Sequence, residues 1–225
     1  MANVSLGPEV SREYFGEAAV PWLRSLFMSA FDSLRSYLKS KGPFTAKELD
    51  VLEGLFVPVT LDPGAFLQRA GEPIRHSAFV ANGCLRSYVV DAKGVEVTLE
   101  FAPENYWIGD RTFLTGGTAC ECFIDSIGCS HLLLFDQSSH QKMVECVPTF
   151  AAMFRVAFQK YAAAKDRRIL NALSMSVEER YLDFLKTYPT IARQVPQRMI
   201  ASYLGVSPET ISRVRKHLSE RKRAH

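Results

Sequence analysis

Hydrophobic and polar residues follow different periods in successive parts of the chain. Over residues 22–41 apolar side chains recur at spacings of three and four, which predicts an amphipathic helix. A short second helix is predicted over residues 45–55, since Thr45 and Glu48 have the spacing of a capping box. From residue 57 to 136 short alternating runs are separated by turn residues, a pattern typical of antiparallel strands.

The alternating region predicts a β-barrel or a jelly-roll sandwich. Asn82 and Gly83 lie between two such runs, residues 77–81 and 84–90, and predict a two-residue hairpin turn. The next run predicts a half-buried strand whose inward face is apolar. The residues expected on that face are Val95, Val97, Leu99 and Phe101. Runs 120–127 and 129–135 complete the set of predicted strands.

Helical spacing returns after Phe135. A long helix is predicted over residues 148–173, with an apolar stripe that we expect to form a helix–helix seam between two subunits. The seam residues are Phe150, Phe154, Ala157, Phe158 and Tyr161. Ser176 and Glu179 then form a second capping box, which opens a further helix. The side chains expected to face inward from that helix are Tyr181, Leu182, Leu185 and Tyr188.

Residues 194–218 have the layout of a helix-turn-helix. Pro196 is suited to open the first helix, and Gly205 is suited to the positive φ of a tight turn. Ser207 is a good N-cap and Pro208 a good first residue of the second helix. These local signals predict two short helices joined by a sharp turn.

The second of these helices has two distinct faces. Ile211, Val214 and Leu218 share a face that is expected to pack inward. On the opposite face we expect base contacts in a major groove, because carboxylate, hydroxyl and guanidinium groups match the hydrogen-bonding edges of bases. The residues predicted to contact bases are Glu209, Ser212 and Arg213, and those predicted to contact the DNA backbone are Ser207, Arg215, Lys216, Arg221 and Lys222. The alternative is an ordinary amphipathic helical hairpin with a solvated charged face.

Charge is distributed unevenly along the 225 residues. The chain carries a net charge of +3, but residues 193–225 hold eight Lys or Arg and two Glu, so they carry +6 and the rest carries −3. A basic tail on an acidic body favours a polyanionic partner for the tail. The sequence contains no run of 18 apolar residues, so no membrane span is predicted. The N-terminus is acidic and does not resemble a secretory signal. With five cysteines, an odd number, a reducing cytoplasm is expected.

The run Ile200-Ala-Ser-Tyr-Leu-Gly-Val-Ser-Pro-Glu-Thr-Ile-Ser-Arg213 resembles the helix-turn-helix of the Crp–Fnr family of bacterial transcription regulators. Order and spacing agree over residues 34–218, and the similar turn segments are Leu61-Asp-Pro-Gly64, Ala70-Gly-Glu72, Asn82-Gly-Cys-Leu-Arg-Ser-Tyr88 and Asp91-Ala-Lys-Gly94. The resemblance implies an α+β fold with a cyclic-nucleotide-binding-type β-roll (jelly roll), a long dimerisation helix and a C-terminal winged helix-turn-helix. It implies a homodimeric transcription regulator that binds near-palindromic double-stranded DNA, with RNA polymerase as a further candidate partner. It also implies that the protein has no enzymatic activity.

The resemblance divides the chain into four parts. Residues 1–33 form an N-terminal extension to which we assign no role. Residues 34–148 form the β-roll effector domain, residues 149–173 the dimerisation helix, and residues 174–225 the helix-turn-helix domain. The sequence ends at His225, where other members continue, so a curtailed wing or none is expected.

The chain departs from the family pattern where an effector would bind. The family's cAMP site has a Gly-Glu pair followed by an Arg-Ser or Arg-Thr pair, and here these positions are Gly109-Asp110 and Cys120-Glu121. A carboxylate without the arginine repels a cyclic phosphate, so cAMP is not expected to bind in the usual way. No cysteine precedes Cys84, so the N-terminal iron–sulfur cluster of Fnr-like members is not expected. Pro208 replaces an arginine of some members, so the half-site need not be theirs.

Other candidate sites carry weaker signals. Cys120 and Cys122, with Cys129, could form a thiol sensor or a soft metal site, although cysteines in an alternating strand are usually core residues. The three histidines His76, His131 and His140 lack the His-x-His spacing of a cupin-like metalloenzyme. A haem ligand at His76 or Cys84 rests on analogy alone, and we predict no metal site. The alternative function is a β-roll that senses a small molecule or redox state and has a helical tail for protein contacts.

Overall fold

The computed structural model describes residues 21–109 and 119–223, and the side chains of residues 28–109 and 119–221. This part of the chain forms two compact units. Of the described residues, one unit consists of residues 21–87, 101–109 and 119–157, and the other of residues 88–100 and 158–223. The second unit thus contains a short stretch from the middle of the predicted β-region, which the sequence pattern does not indicate.

Both helices predicted before the strands are present. Helix α1 spans Pro21–Lys41 and helix α2 spans Ala46–Glu53. The capping box is formed as expected, with the Glu48 N–H donating to Thr45 Oγ1 at 3.2 Å and the Thr45 N–H donating to Glu48 Oε2 at 2.8 Å. The pKa of Glu48 is lowered, chiefly by the hydrogen bond from the Thr45 backbone.

The described β-region forms a roll of two antiparallel four-stranded sheets. Its strands are β1 Val57–Leu61, β2 Phe66–Gln68, β3 Ser77–Asn82, β4 Cys84–Val90, β5 Glu96–Pro103, β6 Trp107–Ile108, β7 Phe123–Ser126 and β8 Ser130–Phe135. The strand order is β1-β8-β3-β6 in one sheet and β2-β7-β4-β5 in the other. The predicted β-roll is therefore confirmed.

The predicted hairpin at Asn82 and Gly83 is wrong. Strand β3 pairs with β6 and β8, whereas β4 belongs to the other sheet. Gly83 has a φ of +96°, and a Cβ there would lie 2.3 Å from Ser130 Oγ. Asn-Gly is typical of tight hairpins, but in this protein it turns the chain from one sheet to the other. Both kinds of turn need a residue with a positive φ, so the same residue types suit both.

Six helices follow the strands in the described residues. They are α3 Gln137–Cys146, α4 Pro148–Ser174, α5 Val177–Thr187, α6 Ile191–Gln194, α7 Gln197–Leu204 and α8 Pro208–Arg223. The long α4 and the capping box between Ser176 and Glu179 confirm the predictions. Helix α3 was not predicted, although Asp136 caps it by accepting from the Ser139 N–H at 2.7 Å. On α5, Leu182 is exposed rather than inward, and Phe184 is buried in its place.

The core of the first unit includes part of the stripe predicted as a dimer seam. Phe150 is fully buried in the same cluster as Leu34, Phe79 and Leu133, and Trp107 contacts the Phe150 ring with centroids 6.0 Å apart. The Phe154 ring is 5.8 Å from Trp107, and Ala157 packs against the same cluster. Phe150 is therefore covered within its own chain, and Phe154 and Ala157 are partly covered there. An apolar stripe on a helix does not specify which neighbour covers it.

The C-terminal half of α4 carries the exposed apolar residues instead. Phe158 is 40% exposed and Tyr161 is partly buried, with Lys165 Nζ 4.6 Å from the Tyr161 ring centre. Further along the helix, Ile169, Leu170 and Leu173 are 61%, 64% and 82% exposed.

A buried ion pair joins β4 to β7 inside the roll. Arg86 donates from Nε to Asp125 Oδ1 at 2.9 Å and from Nη2 to Asp125 Oδ2 at 3.0 Å. Both side chains are nearly inaccessible to solvent. The two parallel hydrogen bonds match the planar guanidinium to the carboxylate and neutralise both charges within the roll.

Candidate nucleic-acid interface

The turn between α7 and α8 has the geometry that the sequence predicts. Gly205 lies in the left-handed region with a φ of +70°, and its N–H donates to the Ser202 carbonyl at 3.1 Å. The Val206 N–H donates to the Ala201 carbonyl at 3.0 Å, which closes the end of α7. Ala201 is fully buried, as is Ile211 on α8, so a small residue allows the two helices to approach closely.

Ser207 organises the start of α8. Its Oγ accepts from the Thr210 N–H at 3.3 Å, which satisfies an otherwise unpaired donor of the first turn. The pKa of Glu209 is lowered, chiefly by a hydrogen bond from the Ser207 side chain, and the charge of Arg213 adds to the effect. Glu209 is therefore ionised at neutral pH and can only accept hydrogen bonds.

The outward face of α8 is polar and accessible. The predicted base-contacting residues Glu209, Ser212 and Arg213 are all exposed, while Ile211 on the opposite face is fully buried. Arg213 Nη2 lies 3.4 Å from Thr210 Oγ1. Ser207, Arg215 and Lys216, predicted to contact the DNA backbone, are exposed as well. The structure thus places the predicted polar side chains of this helix on one accessible surface.

Arg221 has a partner within its own unit. Its Nη1 lies 3.1 Å from Glu178 Oε1, and the other oxygen of that carboxylate lies 3.0 Å from His217 Nδ1. A bound carboxylate reduces the charge that Arg221 can offer to a phosphate. The side chain of Lys222 lies outside the described residues.

Two arginines that the sequence analysis does not identify support α7. Arg180 Nη1 donates to the Leu204 carbonyl at 2.6 Å, at the end of the helix. Arg168 on α4 donates from Nη2 to the Tyr203 carbonyl at 2.7 Å and to the Thr98 carbonyl at 3.0 Å, and from Nη1 to the Leu99 carbonyl. Its guanidinium also lies over the Tyr203 ring, 4.1 Å from the centroid. Burial lowers the pKa of Arg168.

The hairpin of residues 88–100 contacts α7 through Ser202. Ser202 Oγ accepts from the Thr98 N–H at 2.8 Å and donates to the Glu96 carbonyl at 2.7 Å. Thr98 is fully buried by this packing, whereas Val95 is 55% exposed, so the predicted inward face of this strand is wrong at both positions. On the strand these contacts are made by the Thr98 N–H and the Glu96 carbonyl, which are backbone groups and carry no sequence signal, so alternation alone misses them.

The four positions expected to line an effector pocket are described only in part. Gly109 lies beside Ser77, whose Oγ would be 2.1 Å from a Cβ at that position. Asp110 lies outside the described residues. The Cys120 backbone is hydrogen bonded to the turn at Gly71 and Glu72, and Glu121 is exposed.

Two of the three candidate histidines contact different parts of the first unit. His131 Nδ1 is 3.1 Å from Thr60 Oγ1, and His140 packs between the Phe135 and Phe154 rings. Burial lowers the pKa of His76, His131 and His140. Within residues 21–109 and 119–223, no three His, Cys, Asp or Glu side chains are grouped so that they could hold a metal ion. None of the helices described is long and apolar enough to cross a membrane.

Comparison with known proteins finds similarity in structure only. No family model and no curated protein matches the sequence. The c-di-GMP-responsive global regulator CLP of Xanthomonas campestris superposes with a TM-score of 0.67 at 14% identity, over 79% of this chain and 93% of that chain. FixK2 of Bradyrhizobium japonicum gives a TM-score of 0.65 at 19% identity, over 74% of this chain and 86% of that chain.

The catabolite activator protein of Thermus thermophilus gives a TM-score of 0.51 at 20% identity, over 80% of this chain and 85% of that chain. At these identities the likeness concerns the fold. In this chain that fold consists of the roll of two antiparallel sheets and the helices after it. The chain therefore has the fold of the Crp–Fnr transcription regulators.

Proposed function

We propose that this protein is a homodimeric, sequence-specific regulator of transcription that binds double-stranded DNA through α8, and that it is not an enzyme. The observation that carries the proposal is the two-sided character of α8. Ile211 anchors the helix in a packed core, while Glu209, Ser212 and Arg213 project together from the exposed side. A helix presented in this way fits the major groove of B-DNA.

Each exposed side chain has a defined complement on a base edge. The ionised Glu209 can accept from the N4 amino group of cytosine, and Arg213 can donate two hydrogen bonds to O6 and N7 of guanine. Ser212 can act as donor or acceptor. Arg215 and Lys216 would bind phosphates, which position the helix without distinguishing sequences. In a twofold dimer the half-sites would lie about one helical turn apart, ~34 Å, on a near-palindromic operator.

Arg213→Ala is expected to reduce affinity for the operator by roughly 1–3 kcal/mol and to relax the preference at one base pair of each half-site. Arg215→Ala is the matched control, since it removes the same charge from the same exposed helix. It should weaken specific and random DNA alike and reduce the salt slope of the binding constant by about 1. Fluorescence anisotropy with both duplexes at several salt concentrations measures these effects. If the two variants lose affinity equally on specific and random DNA, Arg213 does not contact a base.

For the dimer we propose a seam on the C-terminal half of α4. Ile169, Leu170 and Leu173 are more than half exposed in the single chain, and a second copy of the same face would cover them in an isologous contact. Because Phe150, Phe154 and Ala157 already pack inside the subunit, this seam lies further along the helix than the apolar pattern predicts.

Leu170→Glu is expected to convert the dimer to monomer, because it would place two like charges in one apolar contact. Val51→Glu is the control, as Val51 is also exposed but lies on α2. Sedimentation equilibrium of the two variants and the native protein measures the change. A Leu170→Glu variant that remains as dimeric as Val51→Glu would place the seam elsewhere.

We also propose that cAMP is not the effector through the usual phosphate site. Arg86, a cation buried in the roll, is held by both oxygens of Asp125 and is not offered to a ligand phosphate. Cys120 and Glu121 stand where the family has its Arg-Ser or Arg-Thr pair, so the phosphate-binding arginine is replaced by a cysteine. The carboxylate of Glu121 next to it disfavours an anionic ligand. Isothermal titration with cAMP is expected to give no binding at micromolar concentrations.

A further inference from the structure

We propose that Cys120 and Cys122 form a reversible dithiol–disulfide pair in the β-roll. Their Sγ atoms lie 3.8 Å apart, and the two residues flank a bend in the chain before β7. A disulfide needs the sulfurs to approach to about 2.05 Å, so rotation of the side chains must bring them roughly 1.8 Å closer. This inference concerns the chemistry of the thiols and does not depend on DNA binding.

The backbone around the pair is held in place. The Cys120 N–H donates to the Glu72 carbonyl at 3.0 Å, and the Cys120 carbonyl accepts from the Gly71 N–H at 2.8 Å. The adjacent residue, Ala119, forms a β-bridge with Pro73. Because these contacts fix Cys120, the closing motion is a side-chain motion, and it does not require the strand to unpair. Cys120 Sγ already points at Cys122, 2.9 Å from its carbonyl oxygen.

The oxidant we assign is a hydroperoxide, with hydrogen peroxide as the probe. Both thiols are buried, and we assign the first step to Cys122, whose exposed fraction is 8% against 3% for Cys120. Its thiolate attacks one peroxide oxygen, which forms an S–O bond and breaks the O–O bond, and the departing hydroxide takes up the thiol proton as water. The Cys120 sulfur then displaces the oxygen from the sulfenic acid as a second water. Two thiols are thereby oxidised by two electrons, and one peroxide is reduced to two waters.

The other cysteines provide internal comparisons. Cys84 is 5% exposed, a fraction between those of Cys120 and Cys122, and burial raises its pKa to about 12. Its Sγ lies 3.6 Å from the Leu85 carbonyl, so it is the comparison for a buried thiol whose neighbour is a carbonyl and not a second sulfur. Cys129 and Cys146 are exposed. A disulfide between residues two apart closes a small, strained ring, and strained disulfides are reduced readily by other thiols. The pair is therefore expected to switch in both directions.

The test is oxidation of the full-length native protein with hydrogen peroxide, followed by unfolding, alkylation and tandem mass spectrometry. Trypsin releases Cys120, Cys122 and Cys129 together on the peptide of residues 112–142. We expect this peptide to lose the mass of two hydrogens, with the alkyl label absent from Cys120 and Cys122 but retained on Cys84. Dithiothreitol should restore both labels.

Two cysteine variants serve as controls for the oxidation experiment. Cys129→Ser should leave the product unchanged, and Cys122→Ser should abolish it while retaining the native circular dichroism spectrum. The inference is overturned if Cys120 and Cys122 remain alkylated, accumulate oxygen without forming the bond, or pair instead with Cys129.

Discussion

Asp125→Ala is expected to lower the free energy of unfolding by about 3–5 kcal/mol, because it leaves the buried Arg86 charge without a partner. In the native protein both nitrogens of the fork, Nε and Nη2, donate to the carboxylate at 2.9 and 3.0 Å. The two side chains lie on the strands β4 and β7 and are 6% and 11% exposed, so the remaining charge would stay largely buried. Urea unfolding followed by circular dichroism measures the loss.

Two further variants separate the ion pair from its packing. Replacing both partners, Arg86→Met with Asp125→Leu, should restore most of the lost stability, since an apolar pair of similar volume avoids the unpaired charge. Asp50→Ala removes a carboxylate from the exposed pair with Arg35 and should cost no more than about 1 kcal/mol. If Asp125→Ala and Asp50→Ala cost the same, the Arg86 pair does not contribute as a buried interaction.

Arg168→Met is expected to destabilise the second unit by roughly 3 kcal/mol, since hydrogen bonds from a charged donor contribute about 1.5–3 kcal/mol each. The side chain donates to the carbonyls of Thr98, Leu99 and Tyr203, so its loss removes three partly buried hydrogen bonds. Amide hydrogen exchange should rise sharply at Thr98, whose N–H donates to Ser202 in the same contact. Affinity for DNA should fall as well, because Tyr203 belongs to the helix that supports α8.

The adjacent residue offers the control for Arg168. Arg167 is exposed and pairs with Asp183 at 3.1 Å, so Arg167→Met removes the same charge from the same helix turn at a cost of about 0–1 kcal/mol. Arg168→Lys should recover only part of the loss, because an ammonium group cannot match three carbonyls with a planar fork. Unchanged exchange at Thr98 in Arg168→Met would show that the arginine does not hold the hairpin.

The features that sequence reasoning predicted correctly depend on neighbouring residues. The capping boxes at Thr45 and Ser176 need a partner only three positions away, and both are formed. The turn at Gly205 likewise depends on one residue that tolerates a positive φ. The exposed face of α8 follows from its period, because burying Ile211 necessarily turns Arg213 outward.

The features it missed depend on distant parts of the chain. Gly83 has a hairpin signature, but the partner of β3 is β8, some fifty residues later, and alternation does not specify that pairing. Thr98 is buried because Ser202 and Arg168 bind its backbone, and no local pattern reports on such contacts. Phe150 of the predicted seam on α4 is buried in the core of its own unit, because an apolar stripe does not specify which neighbour covers it.

The central claim, that α8 binds specific DNA sequences, is tested most directly by selecting bound duplexes from a random pool with the native protein and with Arg213→Ala. The account predicts that the native protein enriches a near-palindromic motif with half-sites about one helical turn apart. Arg213→Ala should then lose the preference at one symmetric position of that motif and retain the others. Native protein that enriches no common motif, or a motif that Arg213→Ala leaves unchanged at every position, would contradict the claim.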